Sequence, residues 1–364
     1  MYQIFQLNNY EKLGTIGKGS FGEVFKVREK QTNNIYAAKI SIIELDTNAK
    51  LFIQGVKREV NIFSKMNNPS ILKFIGYSPV DFNQESYPTI ITEYAPNGSL
   101  GNIINLSRCG LAPDNWDSTK KLLNIYGIAT GMAYLHLHNI IHRDLKPDNI
   151  LMDQYLLPKI ADFGLSKKFH QNEQSESIQS TACIKGTPKY IAPEIWKSEI
   201  YDKPGDVYSF SLIVYEILTN DEPFKNFNQF QILSEIVYKK NRPILCDSIP
   251  DAYKKLIESC WKDDPNERPT FDQIVEELRN NEGFITGDVE KEDFLEYIDY
   301  IDHYESTFNS LQTNYFLGSR RKSHAFQQVS INQIKMKINE EEDKIKEENN
   351  NELKEENNDI LKGE

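Results

Sequence analysis

Apolar and polar residues alternate in short runs through Tyr10–Gly17, Glu23–Glu29 and Ile35–Ile40, with glycine- and asparagine-containing turns between them. A period of two puts every second side chain on one face of a sheet, so these runs predict three β-strands. The period then changes. Over Ala49–Met66, Phe52, Val56, Val60 and Phe63 recur at helical spacing and predict one helix. Thr89–Tyr94, TIITEY, is a β-branched run and predicts a further strand. Beyond the Asn97-Gly98 turn the pattern is helical. Trp116–His138 carries a stripe of Leu122, Ile125, Ala129, Met132 and Leu135, and further helices are predicted near Asp206–Leu218, Asn228–Lys239, Asp251–Cys260 and Thr270–Arg279. A small strand-rich half therefore precedes a larger helical half. Strands followed by helices point to an α+β fold in two lobes rather than an alternating βαβ sheet.

The ends of this pattern are polar. Asp288–Glu305 mixes acids with Phe294, Leu295, Tyr297, Ile298, Tyr300, Ile301 and Tyr304 at amphipathic-helix spacing. The expectation is a helix packed on the helical lobe with its acids outward; a docking or autoinhibitory element for a basic partner is the alternative. From Ser319 onward the chain is rich in Lys, Glu and Asn, with a basic cluster at Arg320–Lys322 and isoleucines at Ile331, Ile338 and Ile345. That is too few apolar positions for a coiled coil, so a disordered or marginally helical tail is expected. Lys168–Lys185 is a third polar stretch, between sharply defined motifs.

Composition narrows the class. Of 364 residues, 39% are hydrophobic and 11% aromatic, enough to build a core. The formal charge of −12 argues against nucleic acid or anionic lipid as the main partner. Much of it is local, because Glu282–Glu305 holds nine acids against the one lysine Lys291. Cys109, Cys183, Cys246 and Cys260 lack metal-ligand spacing and read as reduced thiols. Met1–Tyr10 lacks the basic start and apolar run of a secretory signal, and no stretch reaches the ~18 apolar residues of a membrane helix. A cytoplasmic protein with no membrane insertion is expected.

Four motifs carry chemistry. Gly17–Val24, GKGSFGEV, lies between two predicted strands. Its glycines let backbone N–H groups approach phosphates, and the strand that follows favours a hairpin over a Rossmann turn, which a helix would follow. Lys39 sits in the apolar strand YAAKI, where a buried ammonium needs partners. Phosphates and Glu59, on the following predicted helix, are the natural ones. In Ile140–Leu151, IIHRDLKPDNIL, Asp144 can accept a hydroxyl proton and Asn149 can offer an oxygen to a hard cation. In Ile160–Ser166, IADFGLS, Asp162 is a second carboxylate for that cation. Each motif alone could be a satisfied loop; their joint order and spacing cannot be coincidence.

Over about Tyr10–Leu278, nearly three quarters of its length, the chain resembles a eukaryotic protein kinase. ITEYAPNGSL (Ile91–Leu100) and SCWKDDPNERPTFDQIVEEL (Ser259–Leu278) resemble the tyrosine-kinase-like group. The resemblance implies a two-lobed protein kinase fold: a small antiparallel-sheet N-lobe (10–94) with one main helix, and a large helical C-lobe (97–278). An acidic helical extension (281–318) and the charged tail (319–364) would follow. It implies ATP in the cleft with Mg2+, or Mn2+ in its place, and protein substrates. Gly17, Gly19 and Gly22 would cover the phosphates, with Ile16 and Lys18 also binding the nucleotide; Val24, Ala37 and Leu151 would enclose the adenine. Thr92 would be the small gatekeeper, with Glu93 and Ala95 presenting hinge backbone groups. Lys39 and Glu59 would pair, Asp144 would accept the proton with Lys146 near the γ-phosphate, and Asn149 and Asp162 would hold metal. Phe63, His142 and Phe163 would form an apolar spine, Glu194 would pair with Arg268, and Asp206 would cap the loop at His142 and Arg143.

Lys146, two residues after Asp144, and Thr187 in GTPKYIAPE resemble the serine/threonine form; dual specificity is the remaining doubt. Phosphorylation at Ser180 or Thr181, within a segment that also holds Ser175 and Ser177, is expected to order the stretch from Asp162 to Glu194. Two other classes stand against this reading. A pseudokinase scaffold is opposed by intact Lys39, Asp144 and Asp162. A small-molecule kinase is opposed by the long segment ending in APE.

Overall fold

The computed structural model describes residues 5–19, 22–41, 56, 60–162, 167–168, 187–198, 201–304, 326 and 328. Glu59, Phe163, the serines and threonine of the expected phosphorylation segment, Cys183, most of the predicted helix over Ala49–Met66 and nearly all of the 319–364 tail lie outside them.

Strands β1 (Tyr10–Gly19), β2 (Gly22–Glu29), β3 (Ile35–Ser41), β4 (Phe74–Ser78) and β5 (Thr89–Glu93) form one antiparallel sheet in the order β1-β2-β3-β5-β4. Its register sets Gly17 opposite Val24, Val24 opposite Lys39, and Lys39 opposite Ile90. The neighbouring row sets Lys26 opposite Ala37 and Ala37 opposite Thr92. Gly22 is required where it stands. A Cβ there would lie 2.1 Å from the Ile40 carbonyl oxygen, at a φ of 150°. Leu7, Tyr10, Val27, Ala38 and Ile91 make a small separate core for this lobe.

The second lobe is helical: α1 (Leu100–Arg108), α2 (Ser118–Leu137), α3 (Pro193–Ser198), α4 (Lys203–Thr219), α5 (Gln229–Leu233), α6 (Asp251–Cys260), α7 (Phe271–Asn280) and α8 (Lys291–Asp302). Helix α4 is buried on every face from Gly205 to Ile217, as befits the centre of a large core, and α2 is nearly as enclosed. Two short antiparallel ribbons follow the 118–137 helix, β6 (Ile140–Ile141) with β9 (Lys167–Lys168), and β7 (Ile150–Met152) with β8 (Pro158–Ile160). A five-stranded antiparallel sheet before a helical lobe is the two-lobed architecture the motifs implied.

Two strips of backbone join the lobes. Ile160 donates to the Ser70 carbonyl at 2.7 Å and accepts from the Leu72 amide at 2.9 Å. After β5, Asn97 donates to the Met152 carbonyl at 3.2 Å and Met152 donates to that of Gly98 at 2.8 Å. Chain 93–98 is thus the hinge, and β7 and β8 form the floor beneath it.

Helix α8 packs on α2 as the amphipathic pattern predicted: the Tyr126 ring meets Phe294 at 5.3 Å and Tyr297 at 6.3 Å. The expectation of outward acids needs one correction. Glu292, Asp299 and Asp302 are exposed, but Asp293 is buried in the first turn, where its charge acts on the Lys120 ammonium.

Candidate active site

The 142–149 loop is held by its own backbone. His142 and Arg143 both donate their amides to the Asp206 carboxylate, each at 2.9 Å, and His136 Nε2 lies 2.9 Å from the same group. Burial alone would raise the Asp206 pKa. The hydrogen bond and charge of His136, with the amide of His142, outweigh it and hold the carboxyl below its usual range. Asp206 lies in the first turn of buried α4, so the loop is fastened to the most rigid part of the lobe. Arg143 takes a φ of 72° and Asp162 a φ of 63°. Such conformations in non-glycine residues cost energy and gather at functional sites.

This fastening presents Asp144. Its Oδ2 accepts from Asn149 Nδ2 at 3.0 Å and lies 3.2 Å from Lys146 Nζ. Its Oδ1 accepts from the Thr187 amide at 3.2 Å. Lys146 Nζ donates to Thr187 Oγ1 at 2.7 Å, closing a triangle of Asp144, Lys146 and Thr187 from sequence positions forty residues apart. Asn149 Nδ2 also donates to the Asp144 carbonyl at 2.8 Å. With its nitrogen so committed, the amide has its oxygen to offer.

Across the cleft, Lys39 Nζ donates to Asp162 Oδ1 at 3.1 Å. The Ala161 amide donates to the Asn149 carbonyl at 2.8 Å and the Ala161 carbonyl faces His142 Nε2 at 3.0 Å, which fixes Asp162 beside the loop. The side chains of Asn149 and Asp162 each carry a hard oxygen donor of the kind that Mg2+ and Mn2+ accept. Ala37 and Thr92 are sheet partners above, and Leu151 bridges to Ser99 below, next to the hinge. Thr92 is buried, with its hydroxyl bonded to the Glu93 carbonyl at 3.0 Å. Ile16, Gly17, Lys18 and Gly19 lie on β1, and Gly22 and Val24 on β2, with Gly19 paired opposite Gly22. Away from the cleft, Arg268 clasps Glu194 through two bonds of 2.7 and 2.8 Å. Phe63 and His142 are buried.

A model of the protein kinase domain matches residues 10–278. The chain belongs to the protein kinase family. Among curated relatives, this kinase is 32% identical to the dual specificity protein kinase shkB of Dictyostelium discoideum over 340 residues, 91% of this chain and 48% of that protein. It is 34% identical to the probable serine/threonine-protein kinase drkC of the same organism over 265 residues, 72% of this chain and 33% of that one. It is also 34% identical to the serine/threonine-protein kinase CTR1 of Arabidopsis thaliana over 275 residues, 75% of this chain and 31% of that protein. The kinase thus spans about half the length of these relatives or less. The family's chemistry uses ATP and a divalent metal ion. No helix of the described residues is long and apolar enough to cross a membrane.

Two groups of functional interest carried no local signal. Glu216 of α4 accepts from the Tyr190 hydroxyl and from Arg108 at 3.1 Å, bracing the stretch after Thr187. Burial pushes its carboxyl up to about 7, against the hydrogen bond of Tyr190 and the charge of Arg108. Lys159 of β8 reaches Glu93 of the hinge at 3.5 Å. Both depend on residues distant in sequence, and only the fold brings them together.

Proposed function

We propose that this chain transfers the γ-phosphoryl group of ATP to serine or threonine hydroxyls of protein substrates. The observation that carries the reading is the Asp144–Lys146–Thr187 triangle facing the Lys39–Asp162 pair. Asp144 is set to accept the proton of an incoming hydroxyl, because two hydrogen-bond donors and an ammonium hold its carboxylate in one orientation. The Lys146 ammonium offsets charge on the transferring group. Lys39 orients the α- and β-phosphates; Glu59 is its proposed second partner. Gly17, Gly19 and Gly22 keep side chains away from the phosphates, with Ile16 and Lys18 flanking them. Val24, Ala37 and Leu151 enclose the base, Thr92 limits the depth of the pocket, and Glu93 and Ala95 offer backbone groups to the purine. Asn149 and Asp162 would hold magnesium, which supplies neutralisation of phosphate charge.

We place the kinase domain at 10–278, an acidic helical extension at 281–318, of which the structure describes residues up to 304, and a charged tail at 319–364. Free thiols at Cys109, Cys246 and Cys260 support action in a reducing compartment.

Transfer of labelled phosphate from ATP to a general protein substrate tests the reading, with Asp144→Asn as control. The expected loss is at least about a hundredfold in kcat with nucleotide affinity retained. Equal transfer by the variant would sink it. Acid hydrolysis of the product identifies the acceptor; phosphotyrosine beside phosphoserine and phosphothreonine would support dual specificity, the activity named for one relative.

A further inference from the structure

The back of the hinge carries a second set of interactions. Glu93, where β5 becomes the hinge, is fixed three ways. Its Oε1 lies 3.5 Å from Lys159 Nζ and accepts from the Lys73 amide at 2.7 Å, and its own amide donates to the Lys73 carbonyl at 3.0 Å. Lys159 is the sheet partner of Leu151, the floor of the cleft, and stands three residues before Asp162. One ion pair therefore ties the strand that leads into the hinge to β8, which pairs with the Leu151 strand and runs on toward Asp162.

Residues beyond the kinase-domain boundary cover this pair. Tyr300 of α8 and Tyr304 just past its end stand close enough to Lys159 for its charge to act on their phenols. Phe326 follows. Its side chain is 3% exposed, with its ring 5.4 Å from Tyr300 and 5.8 Å from Tyr155. Gln328 donates to Gln154 beside it at 3.4 Å. Tyr155 lies in the turn between β7 and β8. That turn is clamped by Asp153, whose carboxylate accepts from the Tyr155 and Leu157 amides at 2.8 and 2.9 Å. Asn97 of the hinge donates to the Asp153 carbonyl at 2.8 Å. Phe326 thus bridges α8 and the turn under the hinge.

We propose that the seat of the Phe326 side chain sets nucleotide affinity: by packing on Tyr155 and Tyr300 it steadies the turn between β7 and β8 and the tyrosine beside Lys159, and so fixes the spacing of the hinge and the cleft floor. An ion pair in protein surroundings attracts several times more strongly than the same pair in water. With the Phe326 ring removed, the pair weakens and Leu151 is no longer held at one distance from the hinge. Nucleotide binding should fall while the Asp144 triangle, on the other side of the floor, keeps its geometry.

The proposal rests on the kinase reading, and the experiment separates the two. Equilibrium titration of the full chain with a fluorescent ATP analogue and Mg2+ gives a Kd for the wild type, Phe326→Ala, Lys159→Met and the double variant. Phe326→Ala should raise Kd about fivefold with kcat nearly unchanged, and should add little in the Lys159→Met background, because both act through one contact. Phe326→Leu, which refills the socket, should return Kd to within about twofold. Hydrogen exchange of the Asn97, Tyr155 and Leu157 amides, followed without nucleotide, should quicken in Phe326→Ala. Wild-type chain that binds no nucleotide overturns the kinase reading and this proposal with it. Wild-type chain that binds, with Phe326→Ala unchanged or equally damaging in both backgrounds, overturns this proposal alone.

Discussion

Asp144 has its orientation from neighbours that do no chemistry. Thr187 contributes twice, its amide on Asp144 Oδ1 and its hydroxyl accepting from Lys146 at 2.7 Å. The two contributions separate in Thr187→Ala, which keeps the amide and loses the hydroxyl. Lys146 then keeps Asp144 but loses the second anchor that directs it into the cleft. The expected result is a kcat lower by about ten- to a hundredfold, with nucleotide KM and thermal stability close to wild type. A variant with full kcat would show that Asp144 alone directs Lys146. At this scale the sequence was informative wherever residues of the site lie within one short run. HRDLKPDN names Asp144, Lys146 and Asn149 together. The partners that steady them, Asp206, Thr187 and Glu216, are separated from that run by tens of residues. Of these, only Asp206 and Thr187 stand in motifs that a resemblance could carry over. Glu216 sits in a hydrophobic helix, and nothing in SLIVYEIL marks its acid as buried or paired.

Helices declare themselves through period and length, and the long ones here match their predicted spans closely: Asp251–Cys260 as read, Phe271–Asn280 one residue displaced. Helix α1 and strand β4 are among the elements that escaped. Helix α1 contains Gly101 and two asparagines, all poor helix formers. Its stability comes from Ser99, which caps it in a reciprocal box with Asn102, and from burial of Leu100, Ile103 and Ile104. Strand β4 is interrupted by a bulge between Phe74 and Gly76, which breaks the alternation a sequence reading relies on. The joint between α2 and α8 can be tested directly. A Cβ at Gly127 of α2 would stand 2.4 Å from the Tyr297 hydroxyl and 2.7 Å from Pro158 Cγ. Alanine in a helix interior gains about 1 kcal/mol over glycine. The ring of Tyr297 is buried and rigid, and Pro158 opens β8, so neither neighbour can yield cheaply. Overpacking of this kind costs about 1–3 kcal/mol. The clash should win: Gly127→Ala is expected to lower the melting temperature and to speed hydrogen exchange across α8. An unchanged or higher melting temperature would mean that α8 adapts and is less firmly seated than its contacts indicate.

Two buried carboxyls of α4 pull the molecule's acid–base behaviour in opposite directions. Asp206 is held below the ordinary aspartate range. Its contribution to stability is present above the unfolded-state pKa and is lost as pH falls through the lower folded value, which makes it a term of acid unfolding. Glu216 is raised from 4.5 to about 7. Between those values the folded protein binds a proton that the unfolded chain does not, so stability is greatest below about 4.5 and declines as pH rises through about 7. The decline arises because an ionised Glu216 must be kept in the core, with the Arg108 charge as partial compensation. Melting of the wild type should therefore fall between pH 5 and pH 7.5 by more than the melting of Glu216→Gln, whose side chain stays neutral throughout. Arg108 retains Asn105 and the Asn220 carbonyl as partners in that variant, so it is not left bare. Because Glu216 also takes the Tyr190 hydroxyl, the same ionisation bears on the stretch that carries Thr187, and kcat should vary with pH over the same interval in the wild type and less in the variant. If both proteins show the same pH dependence of melting, Glu216 is ionised across the whole range and Arg108 outweighs burial at this site.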